Sequence, residues 1–352
     1  MHFKNSDPKV SVVMTAYNEQ KFIKEAIDSI LGQTFQNFEL IIINDGSNDQ
    51  TDEIIRSYND ERLVYSKNPE NIGLIASLNI GLKLSSGKYI ARMDADDIST
   101  LDRIEKQFNY LEANPDIGVC GTWYDCFGID NTQKWRAPAE HEEIAIKMIG
   151  GMQICHGTSM FRRDIIFENN IFFDNKYLRC EDYKFFLELI KVTKFANLQE
   201  VLYLYRIHGT HESWRKDNQI GLVRKEVIES FLDRPLSEKE KLTNSFLFFD
   251  NKFSKLGVFN DIRAFLNILI AHNNISKKYP EQLFNTIFLG NVLQDTFVKW
   301  MEANGVAKER YTPIELIRLL ILSMHERKNI KPKVVLKLSI KCILFWKHSF
   351  HV

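Results

Sequence analysis

Three carboxylates fall within four positions of the stretch "ARMDADDIST" (91–100): Asp94, Asp96 and Asp97. They follow "KYIARM" (88–93), which reads as a buried strand. Like charges gathered at one strand end repel each other, and a divalent cation offsets that repulsion best. Oxygen donors suit Mn²⁺ or Mg²⁺, ions that usually engage substrate phosphates as well. For Asp97, and for Asp102 beyond it, a place at a helix N-terminus is an equally good reading, because Asp complements the helix dipole there.

A second acidic pair stands in "RCEDYKFFLELI" (179–190). Phe185, Phe186 and Leu189 lie three, four and seven residues after Asp182, so Asp182 shares the apolar face of a helix. A core-facing acid suits a general base better than a cap. Glu181 points elsewhere, to cap or to orient. His208, in "YRIHGTHES" (205–213), follows the strand-like "EVLYLYRI" (200–207) and is a metal or diphosphate contact or a structural histidine.

The elements that must position these groups alternate regularly. Strands are expected at 10–16, 38–45, 62–67 and 88–94, and helices at 19–33, 49–58, 73–85 and 100–114, with Ser47 and Gln50 as a capping box for the second helix. Unbroken apolar strands alternating with helices imply an α/β fold with a mainly parallel sheet covered on both faces. The ligand crevice of such a sheet lies beyond the carboxyl ends of its strands. There "TAYNE" (15–19), "NDGSND" (44–49) and "MDADD" (93–97) should converge. After about residue 215 only helical periodicity remains, at 221–232, 238–249, 260–272 and 313–326.

Composition narrows the function classes. The 352 residues carry 46 Lys+Arg against 46 Asp+Glu, which gives no field for wholesale nucleic-acid binding. Five cysteines without a C-x-x-C pair read as reduced thiols in a cytoplasmic setting. No run reaches the ~18 apolar residues of a spanning helix. No G-x-G-x-x-G follows the first strand, and "GLKLSSGKY" (81–89) misses a P-loop in spacing, so a bound diphosphate would be neutralised by metal rather than by a glycine loop.

Taken in order, "VSVVMTAYNE", "FELIIINDGSND", "NIGLIASLNIGL", "GKYIARMDADD", "HGTSMFRRDII" and "CEDYKFF" resemble the family 2 glycosyltransferases of the GT-A fold over residues 8–215. They look most like the bacterial β-1,3-N-acetylhexosaminyl or galactosyl transferases that extend lipooligosaccharide, capsule or O-antigen chains. The resemblance implies a GT-A catalytic domain at 8–215 and a helical C-terminal region at 216–352. Thr15, Ala16, Tyr17 and Asn18 of "TAYN", with Asp45, would hold the uracil and ribose of a UDP-sugar, and Asp94 would bond the ribose. Asn44 stands where many members carry a second Asp, which leaves Asp45 to make the base contact. Asp96, the closing acid of D-x-D, would coordinate the metal, and His208 would approach the metal or the diphosphate. Asp182 would be the catalytic base, and His156 and Glu181 would lie near the acceptor or donor sugar. The activity implied is inverting, metal-dependent transfer of N-acetylglucosamine, N-acetylgalactosamine or galactose to a hydroxyl of a bacterial surface glycan.

From Arg327 to the end seven Lys/Arg and no acid occur, with Lys333, Lys337 and Lys341 spaced four apart. This tail (327–352) reads as a packing helix or as an interfacial helix on an anionic inner leaflet, where a lipid-linked saccharide acceptor would be found. The rival readings are a metal-dependent phosphohydrolase built on "DADD" and a degenerate, non-catalytic transferase scaffold.

Overall fold

The computed structural model describes residues 7–129, 132–208, 220–248 and 256–288. Strands β1 (Val10–Ala16) and β2 (Phe38–Asn44) are buried at every position, as a parallel sheet under two helical layers requires. Between them α1 (Ile23–Leu31) buries Ile23, Ala26, Ile27 and Ile30, one face of a 3.6-residue period. The alternation continues through α2 (Thr51–Arg56), β3 (Leu63–Lys67), α3 (Leu74–Leu84) and β4 (Tyr89–Asp94). Then come β5 (Ile98–Ser99), α4 (Arg103–Ala113), β6 (Ile117–Gly128), β7 (Lys134–Trp135) and α5 (His141–Lys147). A 3₁₀ turn (His156–Thr158), β8 (Met160–Arg162), α6 (Arg163–Glu168), a second 3₁₀ turn (Asn175–Tyr177), α7 (Glu181–Leu189) and β9 (Lys194–Ile207) follow.

These strands form one mixed sheet in the order β3-β2-β1-β4-β8-β6-β9-β5, with β7 paired to β6. The long pairings, β1 with β2 and β4, β2 with β3, and β6 with β9, are parallel. The short pairings of β5, β7 and β8 are antiparallel. Since β2 and β3 lie to one side of β1 and β4 to the other, the order reverses at β1/β4, where a ligand crevice belongs. Register sets Thr15 opposite Asp94 and Ala16 opposite Asn44 at that point.

The expected capping box does not form, since Gln50 makes no side-chain cap bond. Ser47 Oγ instead accepts the Asn18 amide at 3.0 Å, and Asp49 Oδ1 takes the Thr51 amide at 3.0 Å. A short Asp side chain reaches a backbone N–H two residues on, so it competes for the position.

The chain divides into two compact units, Met1–Val223 and Arg224–Val352. The boundary expected at 215/216 falls among residues 209–219, outside those described. The second unit holds most of α8 (Ile220–Leu232), with α9 (Glu238–Phe248), α10 (Leu256–Ser276) and α11 (Glu281–Asn285). Phe231, Tyr279 and Phe284 stack within it, and Asn273 clamps the backbone of Tyr279 with two hydrogen bonds of 3.0 and 3.1 Å. The helix expected at 313–326 and the basic tail lie outside the described residues. Among the described residues no helix is long and apolar enough to cross a membrane.

Candidate active site

At the switch point a buried cation joins the two central strands. Arg92 is 4% exposed, and its guanidinium donates to Val13 O (3.3 Å), Thr15 Oγ1 (3.2 Å) and Asp94 Oδ1 (2.7 Å). Its Nε finds no hydrogen-bond partner among the described residues. Tyr203 reaches the same carboxylate from β9, its hydroxyl 3.5 Å from Asp94 Oδ2. Burial raises the Asp94 carboxyl above the usual range, Arg92 opposes the rise, and Asp96 adds to it.

The three carboxylates of "DADD" divide their work. Asp97 is buried, taking the Tyr203 hydroxyl at 2.7 Å and the Arg206 amide at 2.6 Å. Burial and the charges of Asp96 and Asp94 push its carboxyl well up. It latches β9 to the strand end rather than capping a helix. Asp102, by contrast, does sit at the N-cap of α4, where it pairs with Lys106 at 2.7 Å. Asp94 and Asp96 stay partly exposed. Asp96 Oδ2 lies 2.9 Å from His208 Nε2, and the Asp96 carbonyl accepts from Arg206 Nε at 2.6 Å.

Among the described residues no group of three or more His, Cys, Asp or Glu side chains is arranged to hold a metal. What the chain offers is the Asp96–His208 pair. Adjacent ligands of an octahedral ion with bonds of about 2.1 Å stand about 3 Å apart. The 2.9 Å separation therefore fits two neighbouring positions of one coordination sphere, with the others left to donors from outside the protein.

The residues of "TAYNE" and "NDGSND" gather at the ends of β1 and β2. Asn18 takes a left-handed backbone (φ 58°), and its Oδ1 accepts the Asn48 amide at 2.8 Å, which ties "TAYNE" to "NDGSND". Tyr17 is 42% exposed. The Asp45 amide donates to Ala16 O at 2.8 Å, and its carboxylate accepts from Asn68 Nδ2 (2.8 Å), the Ile72 amide (3.0 Å) and the Gly73 amide (2.9 Å). Gly46 permits this, since at φ 70° a Cβ would stand 2.5 Å from the Glu70 carbonyl carbon. Asp45 thus already anchors the loop ahead of α3, a duty its position in "NDGS" does not announce.

Comparison with known proteins fits this geometry. Residues 11–168 match the model of "Glycosyl transferase family 2". An uncharacterized glycosyltransferase of Haemophilus influenzae is 40% identical over 220 residues, covering 58% of this chain and 68% of that protein. The chain belongs to glycosyltransferase family 2. A second uncharacterized glycosyltransferase, from Methanocaldococcus jannaschii, is 34% identical over 264 residues, 72% of this chain and 88% of that protein. Residues 1–349 of S. aureus TarS, crystallised with UDP-GlcNAc, share the GT-A fold at a TM-score of 0.58 and 18% identity, over 85% of this chain and 90% of that one.

In this glycosyltransferase the second acidic pair opens α7, behind the left-handed Arg179 (φ 62°). Burial raises both carboxyls, Asp182 to about 6 and Glu181 to about 7; Asp94 adds to the rise at Asp182, and Arg92 acts against it at both. Asp182 therefore belongs to the same electrostatic site as the β4 acids. The burial of the pair runs opposite to expectation: Glu181 is 7% exposed, with Oε2 lacking a partner among the described residues, and Asp182 is the more open of the two. Phe185 and Leu189 lie four and eight residues after Glu181, so helical spacing aligns it with the core as well as it aligns Asp182. His156, in the first 3₁₀ turn, packs on Phe173 and Phe186, and burial together with Arg92 holds its imidazole well below the usual range. It is neutral at pH 7.

Several residues of the site escape the motif reading. A cation within the buried strand "KYIARM" was the signal for Arg92, since unpaired charges are almost never buried. Glu19, the last residue of "TAYNE", is pushed up to about 8 by burial and by Asp96, Asp49 and Asp94, which adds it to the acidic cluster. Arg103, fully buried, donates to Arg92 O (3.1 Å) and Gly157 O (2.6 Å), binding the 3₁₀ turn to β4. A Cβ at Gly157 would stand 2.3 Å from Tyr203 Oη and 2.7 Å from Asp94 Oδ2. Gly157→Ala is expected to cost about 1–3 kcal/mol, as overpacking of a close contact does. An unchanged melting temperature would show that the turn can yield.

Proposed function

We propose that this glycosyltransferase moves N-acetylglucosamine, N-acetylgalactosamine or galactose from a UDP-sugar to a hydroxyl of a bacterial surface glycan, inverting the anomeric centre to leave a β-linkage. The observation that carries the reading is Asp182, a carboxyl raised to about 6 within the field of Asp94 and Arg92. A base needs a pKa near the working pH, and this acid is ionised at neutrality yet basic enough to take a proton. Asp182 removes the hydroxyl proton as the acceptor oxygen attacks the face of the sugar opposite the departing UDP, and a single displacement of that kind inverts.

The remaining residues bind and orient. Thr15, Tyr17, Asn18 and Asp45 line the nucleotide side along the backbone of Ala16, and Asp94 stands where the ribose would lie. Neutral His156 and buried Glu181 border the sugar side. Asp96 and His208 would hold Mn²⁺ or Mg²⁺, which when bound supplies positive charge to the leaving diphosphate. The uridine donor is supported by the UDP-GlcNAc held by TarS. The basic stretch 327–352 suits peripheral contact with the anionic inner face of a cytoplasmic membrane, where a lipid-linked acceptor would be met.

Incubation with a panel of UDP-sugars and Mn²⁺ tests the reading. Slow UDP release from one member, with water standing in for the acceptor, is the expected result. Absence of both cleavage and UDP binding across the panel would overturn it.

A further inference from the structure

One arginine is tied to both halves of the Asp96–His208 pair, although a guanidinium has no lone pair to lend to an ion. Arg206 stands near the end of β9, two positions before His208, with its side chain 12% exposed. Its amide donates to Asp97 Oδ1 at 2.6 Å, its Nε to the Asp96 carbonyl at 2.6 Å, and its Nη2 to Glu25 Oε2 at 2.8 Å. The guanidinium carbon lies over two phenyl rings, 4.7 Å from the centroid of Phe22 and 4.3 Å from that of Phe127, its cross-strand partner on β6. Phe22 in turn meets the His208 ring, with centroids 5.0 Å apart.

These contacts set directions. Holding the Asp96 carbonyl holds a planar peptide unit, and with it the direction in which the Asp96 side chain leaves the turn at 95–97. Phe22 is shared, since both the guanidinium and the imidazole rest against it. As a charge alone the arginine would be a poor choice, because a cation repels an incoming ion. As a planar fork it lies against rings while giving N–H groups to two acceptors, which an ammonium group cannot do. Glu25 balances its charge.

We propose that Arg206 is the positioning residue of the metal pair: through the Asp96 carbonyl and the Phe22 ring it holds Asp96 Oδ2 and His208 Nε2 at the separation that one ion needs. The inference rests on the reading of Asp96 and His208 as the residues that would hold Mn²⁺ or Mg²⁺.

The test titrates the full chain with Mn²⁺ in the presence of UDP and follows the free ion by electron paramagnetic resonance, in wild type, Arg206→Lys, Arg206→Gln and Phe127→Leu. Both arginine variants are expected to weaken Mn²⁺ binding about tenfold, as loss of a group that orients a metal ligand does. Phe127→Leu should weaken it about threefold, through the loss of one cation–π contact. The Mn²⁺ concentration for half-maximal UDP release should rise by the same factors while the rate at saturating Mn²⁺ stays close to wild type, a split that a merely destabilised fold does not produce. UDP affinity measured without metal should be unchanged. Equal Mn²⁺ affinity in wild type and the arginine variants overturns the inference. So does tighter binding in Arg206→Gln, which would make the arginine a repelling charge only. Metal-free UDP affinity lost in a folded arginine variant would make Arg206 a direct diphosphate contact and overturn it as well. If neither arginine variant folds, Phe127→Leu decides, and unchanged Mn²⁺ affinity there overturns the inference. A wild type that binds UDP but no Mn²⁺ removes the metal reading itself, a failure distinct from the others, and the inference with it.

Discussion

Asp182→Asn is expected to lower sugar transfer by about 10²–10⁴-fold, the usual contribution of a positioned base, and to leave UDP affinity unchanged. The substitution preserves shape, and the side-chain oxygen that accepts the Tyr183 amide at 2.6 Å survives in Asn, so the start of α7 should keep its geometry. What disappears is the proton acceptor. The pH profile gives a second reading of the same group. Because Asp182 is raised to about 6, it accepts a proton only above that value, and transfer should rise with pH through about 6 and be lost below it. The groups that face it are Asp94, which favours its protonated form, Arg92, which favours the ionised one, and Glu181, whose own carboxyl the charge of Asp182 helps to raise to about 7. Glu181, raised to about 7, is still largely protonated where Asp182 titrates, so Glu181→Gln should leave the rising limb near 6. Near-normal turnover in Asp182→Asn, with the limb still in place, would assign the base elsewhere.

The parallel half of the sheet was legible because its strands announce themselves twice, by unbroken apolar runs and by the helices between them. β1 spans Val10–Ala16 as expected, and β2 and β4 differ by one residue at an end. The region from Ile117 to Arg162 was not legible in the same way. β6 contains Gly118 and Gly121 and shifts register around Thr122, Trp123 and Tyr124, so no period of two survives along it. β5, β7 and β8 are two or three residues long, too short to carry a pattern. The site divides likewise. Asp94, Asp96 and Asp182 stand out as acids at strand and helix ends, whereas Arg92, Arg103 and Tyr203 are single polar side chains inside apolar stretches. Their role depends on long-range partners: Arg103 meets Gly157, and Tyr203 meets Asp97, more than a hundred positions away.

Asp96→Ala is expected to reduce donor cleavage by at least roughly 10²-fold, the scale seen when one preorganised charge contact at the reacting centre is removed. The local fold should survive. The bonds that shape this corner run through the Asp96 carbonyl, which accepts from Arg206, and through Asp97, which takes Tyr203 and the Arg206 amide; none uses the Asp96 carboxylate. The lost carboxylate is instead the one that meets His208. Mn²⁺ affinity in the presence of UDP, measured by calorimetry or by the spectrum of the bound ion, should therefore fall in both Asp96→Ala and His208→Ala. Because the two side chains would share one ion, their effects should not add, and the double variant should be little worse than the poorer single one. Chelation of the wild type should bring its activity down to the level of Asp96→Ala, and should leave that variant unaffected. Undiminished Mn²⁺ affinity in Asp96→Ala would remove this pair from the metal site and leave its 2.9 Å contact as a hydrogen bond that orients His208 on Phe22.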